Sequence, residues 1–449
     1  MQFQLTSDFI AQITQLIAKK DGNALRELLQ DIHFADIAEL IEELNSDQAI
    51  YLVKQLESDL TSEALMELDD DVREKILERL SPKEIAAELQ ELDTDDAADI
   101  IAELDETTQQ KVIDKIEDQE RAADIVELLN YDEDTAGALM AKELVQVKET
   151  WTVAGCVREM RRQAENVTRV HSIYVTNKEG KLTGRLSLKD LLTAEAKTKI
   201  SDVFIPKVDY VTVHTENEEV ARIMRKYDLE AIPVVDQQGI LVGRITIDDI
   251  VDFIKDEAEK DYQMAAGISQ DVEADDSILD LTKARLPWLV LGLIGGLGSV
   301  YIMRGYDEAL ATHVELFFFT PLIAAMAGNV GVQSSAIIVQ GLANDNVKGS
   351  LFKRLLKEVG LALINGLALG LLVVLFGVLS SMDQKVAFTI AISMLLVIIV
   401  AALIGTFVPI ILDKKGIDPA IATGPFITTS NDIFGIFLFF FIAKMILNF

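Results

Sequence analysis

The chain has 449 residues, which is long enough for several domains, and 73 acidic against 41 basic side chains give it a formal net charge of −32. This charge lies almost entirely before residue 280, whereas the sequence after Pro287 is mostly apolar. So acidic a chain is not expected to bind nucleic acid and favours cations or basic partners, and its single cysteine, Cys156, excludes an intramolecular disulfide framework.

Short helical segments fill the chain up to about residue 130, where apolar residues recur three or four apart, as in EIAAELQEL. Ser46, Ser81 and Thr94 precede such segments and are predicted N-caps. Helices this short cannot each bury an apolar face alone, so we expect them to stack as a helical array.

Asp95, Asp96 and Asp99 form the densest acidic group of this region, at the start of one short helix. They could cap the helix or help to hold a divalent cation. The strong preference for Asp in the first helical turn favours capping.

A different pattern follows Tyr131, with short β-branched strands alternating with helices. The segment GRLSLKD begins at Gly184 and the similar GRITIDD at Gly243, which is 243 − 184 = 59 residues later. A repeat of this length predicts two copies of one βαββα unit that pack as a pair.

The two motifs, together with AIPVVD before the second, resemble a tandem of cystathionine-β-synthase (CBS) domains. In that family the hydroxyl and the acid of the motif can hold an adenine nucleotide, so the resemblance implies ATP or a related nucleotide as a ligand. In a purely structural alternative, the hydroxyl caps the following helix. The residues implied for the nucleotide are Ser187, Asp190, Thr246 and Asp249.

An acidic segment leads from the second CBS unit towards the apolar part, with twelve acidic residues and two lysines between residues 248 and 280. Asp249, Asp252, Asp256 and Glu259 recur three or four apart and share one helix face. Like charges at this spacing repel one another unless something neutralises them. The segment is therefore either an ion-responsive lever or a solvated acidic helix.

Five apolar stretches follow, each long enough to span a bilayer. Basic residues precede the first stretch and lie between the second and third and between the fourth and fifth. The positive-inside rule then places the N-terminal domains in the cytoplasm and the C-terminus outside the plasma (inner) membrane. The stretches are about 287–303, 314–343, 356–380, 386–412 and 419–447.

Asp432 lies near the middle of the last stretch, where a carboxylate is costly unless it faces water, protein or an ion. The second stretch carries Gly328, Asn329 and Gly331, which offer amide and backbone oxygens. Oxygen donors without sulfur or clustered histidine suit magnesium or calcium. We interpret Asp432 as the centre of a cation path; the alternatives are a carboxylate paired inside the helix bundle, and glycines that serve helix packing alone.

The order of these parts, with the motifs PLIAAMAGNVGVQSS and DPAIATGPFITTSNDIFG, resembles the MgtE family of magnesium channels and transporters over essentially the whole chain. The resemblance implies a multidomain fold with an α-helical superhelical repeat domain, α/β tandem CBS domains, an acidic connecting helix and a five-span α-helical transmembrane domain. The implied boundaries are 1–130 for the helical repeat domain, 131–200 and 201–255 for the CBS domains, 256–283 for the connecting (plug) helix and 284–449 for the transmembrane domain.

The resemblance also implies a function, namely a homodimeric, magnesium-selective, channel-like importer whose pore runs along the two-fold axis. Asp432 would select the ion, and Thr428, Gly328, Asn329 and Gly331 would contact its hydration shell. Cytosolic Mg²⁺ would close the pore by bridging the acidic domains, which favours the lever. The implied regulatory residues are Asp95, Asp99, Gly137, Glu216, Glu218, Asp228, Asp249, Asp252, Glu257 and Asp261.

Ala327 and Val332 depart from the loop that is common in this family, Gly-Gly-Asn-x-Gly-Asn-Gln, and imply altered contact with the hydrated ion. Two rival functions are an exchanger coupled to sodium or protons and a membrane-anchored nucleotide-binding module. An enzyme is not expected, because the sequence has neither a nucleophile–base set nor a Walker-type loop.

Overall fold

The computed structural model describes residues 4–164, 167, 169–170, 172–270, 272, 274, 276–344, 347 and 349–448. The chain forms two compact units, which are described separately below. The first unit is Met1–Ile254 and the second unit is Lys255–Phe449.

The first unit begins with the predicted helical array, α1 to α10, whose apolar faces are buried at residues such as Ile37, Leu40 and Ile41. Ser81 caps α7 as predicted, with a reciprocal capping box to Glu84. The helices are α1 Ser7–Lys19, α2 Gly22–Leu29, α3 Phe34–Glu42, α4 Ser46–Val53, α5 Ser58–Met66, α6 Asp70–Leu77, α7 Pro82–Glu88, α8 Thr94–Ala102, α9 Glu106–Ile113 and α10 Gln119–Leu128.

Two of the predicted N-caps are wrong by one residue. Asn45 occupies the N-cap position of α4 and Asp93 that of α8, so Ser46 and Thr94 are the first helical residues. Asn45 and Gln48 bond reciprocally at the start of α4. Asp93 makes no side-chain cap bond, which leaves its carboxylate for other contacts.

The predicted βαββα repeat is confirmed. In each copy the first two strands are parallel and the next pair antiparallel, and β3 and β7 begin at Leu182 and Leu241, again 59 residues apart. The first copy is β1 Val145–Lys148, α11 Val153–Gln163, β2 Ile173–Thr176, β3 Leu182–Leu186 and α12 Leu188–Thr193, with β4 Ile205–Pro206 added to its sheet. The second copy is β5 Val211–Thr212, α13 Asn217–Tyr227, β6 Ala231–Val235, β7 Leu241–Thr246 and α14 Ile247–Ala266.

The array shares its hydrophobic core with the second CBS copy. Ile100 and Ile101 of α8 belong to the same buried cluster as Val220 of α13 and Ile245 of β7. The first CBS copy has a separate small core around Cys156. The array and the second copy are therefore expected to behave as one folding body.

The second unit contains the end of α14 and the five predicted spanning helices, which is the number found in the described residues. α19 packs against α17, α18 and α20, and α15 packs against α20. The helices are α15 Ile278–Arg304, α16 Asp307–Thr312, α17 Val314–Ala343, α18 Leu351–Leu379, α19 Gln384–Asp413 and α20 Gly424–Leu447.

The helix bounds around the first span differ from the prediction. α14 already begins at Ile247 and ends at Ala266, and α15 begins at Ile278 rather than near residue 287. The segment predicted as one connecting helix, 256–283, thus holds the end of one helix and the start of the next. Gly267, with φ +82°, ends α14 in a conformation that favours glycine.

Candidate functional site

Gly328 brings α17 close to α20 beside the predicted ion-selecting carboxylate. A Cβ at Gly328 would lie 3.3 Å from Thr428 Cγ2 and 3.7 Å from Asp432 Oδ1. Thr428 and Asp432 are four residues apart and share one face of α20. The structure thus brings together three of the residues predicted for the ion path.

Gly331 and Asn329 are placed differently. A Cβ at Gly331 would overlap the Asn431 amide and approach Ile427 Cγ2 to 2.8 Å, so Gly331 faces the neighbouring turn of α20. The Gly331 carbonyl packs against Gly405 of α19 inside the bundle. Asn329 is exposed on the surface of the chain. Their contacts with an ion remain a prediction.

Asp432 is half-buried and accepts no hydrogen bond or ion pair from any residue that the structure describes. The first basic residue after it on α20 is Lys444, three turns further along the helix. Within one copy of the chain, the described residues therefore provide no protein cation to neutralise this carboxylate. An ionisable side chain of this kind inside a spanning helix marks a candidate functional site.

The end of α14 packs on the start of the helix that carries Asp432. A Cβ at Gly424 would overlap the Ala265 carbonyl, and one at Gly267 would lie against the Pro425 ring. Gly424 precedes Asp432 by eight residues, which is about 12 Å along a helix. A displacement of α14 would therefore act on the first turn of α20.

In the first unit, Asp95 and Asp96 at the start of α8 lie near enough to Asp249, at the start of α14, for its charge to raise their pKa values. Asp95 is buried, with 7% of its surface exposed. Burial, and after it the negative charges of Asp249 and Asp93, raise the pKa of Asp96 to about 8. Burial likewise raises the pKa of Asp95 well above its usual value. We call Asp93, Asp95, Asp96 and Asp249 the acidic cluster.

The acidic cluster offers oxygen donors that suit a hard divalent cation, and the pKa values of Asp95 and Asp96 are raised first by burial and then by neighbouring negative charges. In the ranges that the structure describes, no three His, Cys, Asp or Glu side chains are grouped to hold a metal ion. The acidic cluster thus supplies oxygen donors, but its described residues do not form a complete metal coordination shell. Asp99, predicted with it, is exposed on the next turn of α8.

Gly137 and Glu216 are brought to one edge of the second CBS copy. The Gly137 amide donates to the Val213 carbonyl at 2.9 Å, and Thr135 forms a β-bridge with Glu216. A Cβ at Gly137 would lie 2.6 Å from the Tyr131 ring, so only glycine fits there.

The other predicted regulatory residues are spread out. Glu218 lies in the first turn of α13, and Asp228 ends that helix with φ 51°. Asp252 is exposed on α14. Glu257 and Asp261 lie on the part of α14 that belongs to the second unit, where Lys260 Nζ is 3.3 Å from Glu257 Oε2.

Sequence reasoning missed two arginines, one from the array and one from the second CBS copy, that both bond to Glu143. Arg244 of β7, 5% exposed, has Nη2 3.0 Å from Asp93 Oδ2 and donates from Nε to the Glu143 carbonyl. Arg121 Nη1 lies 3.0 Å from Glu143 Oε1, and the Thr94 hydroxyl donates to Glu143 Oε2 at 2.7 Å. For Arg244 the sequence signal was the basic residue of its GR motif.

Both predicted nucleotide hydroxyls make local bonds. Ser187 accepts from the Lys189 amide at 3.2 Å and caps α12, while the Thr246 hydroxyl donates to Asp249 Oδ2 at 2.6 Å. The bond of Ser187 is the helix cap of the structural alternative, whereas the Thr246 hydroxyl donates to a side chain. Asp190 lies in the first turn of α12, and the nucleotide role of all four residues remains a prediction.

Family profiles match most of the chain. The MgtE profile, described as a divalent cation transporter, matches residues 320–442, and the MgtE intracellular N domain matches residues 32–134. The CBS domain profile matches residues 136–197 and 200–256.

The chain is 35% identical over 322 residues to the magnesium transporter MgtE of Bacillus subtilis, covering 72% of this chain and 71% of that protein. It is also 35% identical to the magnesium transporter MgtE of Thermus thermophilus, covering 72% of each. The solved cytosolic domain of the Mg²⁺ channel MgtE in complex with ATP is 36% identical, with a TM-score of 0.52, covering 54% of this chain and 99% of that one. Together with the five spanning helices, this similarity shows a multi-pass membrane protein with a cytosolic N-terminal part, and the chain belongs to the MgtE family of divalent cation transporters.

Proposed function

We propose that this protein is a magnesium-selective, channel-like importer that works as a homodimer in the plasma (inner) membrane, with its C-terminus outside. The observation that carries the proposal is the Asp432 carboxylate, which is half-buried in a spanning helix beside Gly328 and Thr428. The names of the relatives, which are magnesium transporters, support magnesium rather than another divalent ion as the transported species.

In the proposed mechanism the pore binds the magnesium ion together with its shell of water molecules. Magnesium sheds water reluctantly, so a carboxylate is expected to bind the hydrated ion through its water molecules. The Thr428 hydroxyl donates to the Gly424 carbonyl at 3.0 Å, which leaves its oxygen free to accept from such water. An inside-negative potential of about 100 mV would supply about 4.6 kcal/mol for a divalent charge.

We propose that cytosolic magnesium regulates the pore through α14. Magnesium at the acidic cluster would hold the first turn of α14 against α8, because it would neutralise carboxylates that otherwise repel one another. The contact between Ala265 and Gly424 then offers a route from α14 to α20. Protease digestion of the full chain should slow on addition of magnesium; identical digestion with and without magnesium would count against regulation.

Magnesium flux into liposomes tests the transport function. The variant Asp432→Asn keeps the size of the side chain and removes its charge, and we expect flux to fall at least about tenfold, the equivalent of about 1.4 kcal/mol. Asp413→Asn, at the exposed end of α19, is the matched control and should leave flux unchanged. Normal flux through Asp432→Asn would refute the proposed ion path.

The alternative is an exchanger in which Asp432 couples magnesium to sodium or protons. The same liposomes separate the two functions, because an exchanger needs a gradient of the coupled ion. We expect magnesium flux to persist when sodium is absent and the pH is equal on both sides. Loss of flux under these conditions would favour the exchanger.

We also propose that the CBS pair binds an adenine nucleotide through Ser187, Asp190, Thr246 and Asp249. The support is the solved relative in complex with ATP. Titration calorimetry with ATP tests this proposal. Unchanged binding to Ser187→Ala and Asp190→Asn would contradict the assignment of these residues.

A further inference from the structure

Asn431 is a buried amide directly before Asp432. Only 1% of its surface is exposed, and neither Oδ1 nor Nδ2 has a hydrogen-bond partner in the part of the chain that the structure describes. A leucine has a similar volume and would not bury two unpaired polar atoms. The energetics of packing alone therefore do not favour an amide at this position.

The amide of Asn431 is fitted to the backbone of α17. A Cβ at Gly331 would overlap Nδ2 and lie 3.0 Å from Cγ of Asn431, so the absence of a side chain at Gly331 makes room for the amide. On its other side Gly331 is fixed by α19, because a Cβ at Gly405 would lie 3.1 Å from the Gly331 Cα. Asn431 thus packs on the α17 backbone at Gly331, and α19 contacts the same backbone through Gly405.

The position of Asn431 determines the position of Asp432. Successive residues of an α-helix are about 100° apart, so the rotation of α20 that turns Asn431 towards Gly331 also turns Asp432 towards Gly328. Gly328 and Gly331 are one turn apart on α17 and contact these two side chains separately. A side chain of another size at residue 331 or 431 would move the carboxylate relative to α17.

We propose that Asn431 is a positioning residue for ion selection, whose amide, seated on Gly331, fixes the rotation and distance of α20 and so places the Asp432 carboxylate at Gly328. The proposal rests on the proposed function, because the property that it controls is selectivity at Asp432. It predicts that the effect of a larger side chain at residue 331 on flux and ion preference depends on the size of the side chain at residue 431.

A double-mutant cycle tests the coupling in liposomes that contain the full-length protein. Gly331→Ala should reduce magnesium flux at least about tenfold and the preference for magnesium over calcium several-fold, since its methyl group meets the Asn431 amide. In Gly331→Ala/Asn431→Ala that group is gone, and flux and ion preference should return most of the way to those of Asn431→Ala. The return is expected to be incomplete because the contact with Ile427 Cγ2 at 2.8 Å remains.

Gly405→Ala is the matched control. Its methyl group would meet the Gly331 backbone, so shortening Asn431 does not relieve the contact. We expect Gly405→Ala and Gly405→Ala/Asn431→Ala to lose flux to a similar extent. Relief of Gly405→Ala by Asn431→Ala, or independent effects of the changes at 331 and 431, would overturn the proposal.

Thiol labelling gives a readout that does not depend on the recovery of Gly331→Ala. In a Cys156→Ser background, Asp432→Cys is modified with a charged thiol reagent, with and without Asn431→Ala. A positioning role predicts a several-fold change in labelling rate, and an unchanged rate would overturn it. Normal flux through Asp432→Asn would instead refute the proposed function, so the two failures can be told apart.

Discussion

Replacement of Arg244 by alanine should destabilise the joint between the helical array and the second CBS copy. The side chain of Arg244 is 6% exposed and that of its partner Asp93 is 22% exposed. Removal of one member of a buried ion pair costs about 3–5 kcal/mol, because the other charge stays buried. As Asp93 is partly exposed, we expect the lower end, about 3 kcal/mol.

The loss should be measured by urea unfolding of residues 1–266, a fragment that ends with α14, followed by circular dichroism without divalent ions. Arg185→Ala is the matched control, because Arg185 holds the equivalent position of the first CBS copy and is exposed. An exposed residue of this kind should change the unfolding free energy by no more than about 0.5 kcal/mol.

Magnesium provides a second arm of this experiment. Arg244→Ala removes a fixed positive charge from the acidic cluster, so divalent ions should stabilise this variant more than the unaltered fragment. A loss for Arg244→Ala below about 1 kcal/mol, or one equal to that of Arg185→Ala, would refute the assignment of the arginine as a fixed cation of the joint.

Three further predictions concern other contacts. Without divalent ions the first unit should lose stability as the pH rises from about 4 towards about 8. The reason is the raised pKa of Asp96, because of which the folded state binds this proton more tightly than the unfolded state does. A higher melting temperature at pH 8.5 than at pH 6 would contradict this prediction. Gly137→Ala should lower the unfolding free energy by about 1–3 kcal/mol in urea, because its methyl group meets an aromatic ring. Ser334→Ala should lower the melting temperature of the detergent-solubilised protein, because it removes a 2.5 Å hydrogen bond to Glu358 that is worth about 1.5–3 kcal/mol; an unchanged melting temperature would contradict this.

Local patterns predicted the elements well but their ends less well. Ser81 caps its helix because the signal lies within four residues, Ser81 to Glu84. The ends of α14 and the start of α15 were missed because acidic residues continue beyond Ala266, where the helix stops at Gly267. Composition does not mark such an end, whereas the conformation of one glycine does.

The candidate site was predicted in part. Asp432, Thr428 and Gly328 were proposed from residue type and depth in the membrane, and the structure brings them together. Asn431 was missed because an amide beside an acid is no local signal. Arg244 was missed because its partner, Asp93, is 151 residues away in the chain.

By itself the sequence determined the short helical repeats, the 59-residue CBS repeat, the five apolar spans and a carboxylate inside the last of them, because periodicity, repetition and hydropathy are local properties. Only the tertiary structure decided that the array shares a core with the second CBS copy and that Gly328 and Gly331 face different side chains of α20. These outcomes depend on how helices far apart in the chain rotate against one another, and only the packing of whole faces sets that rotation.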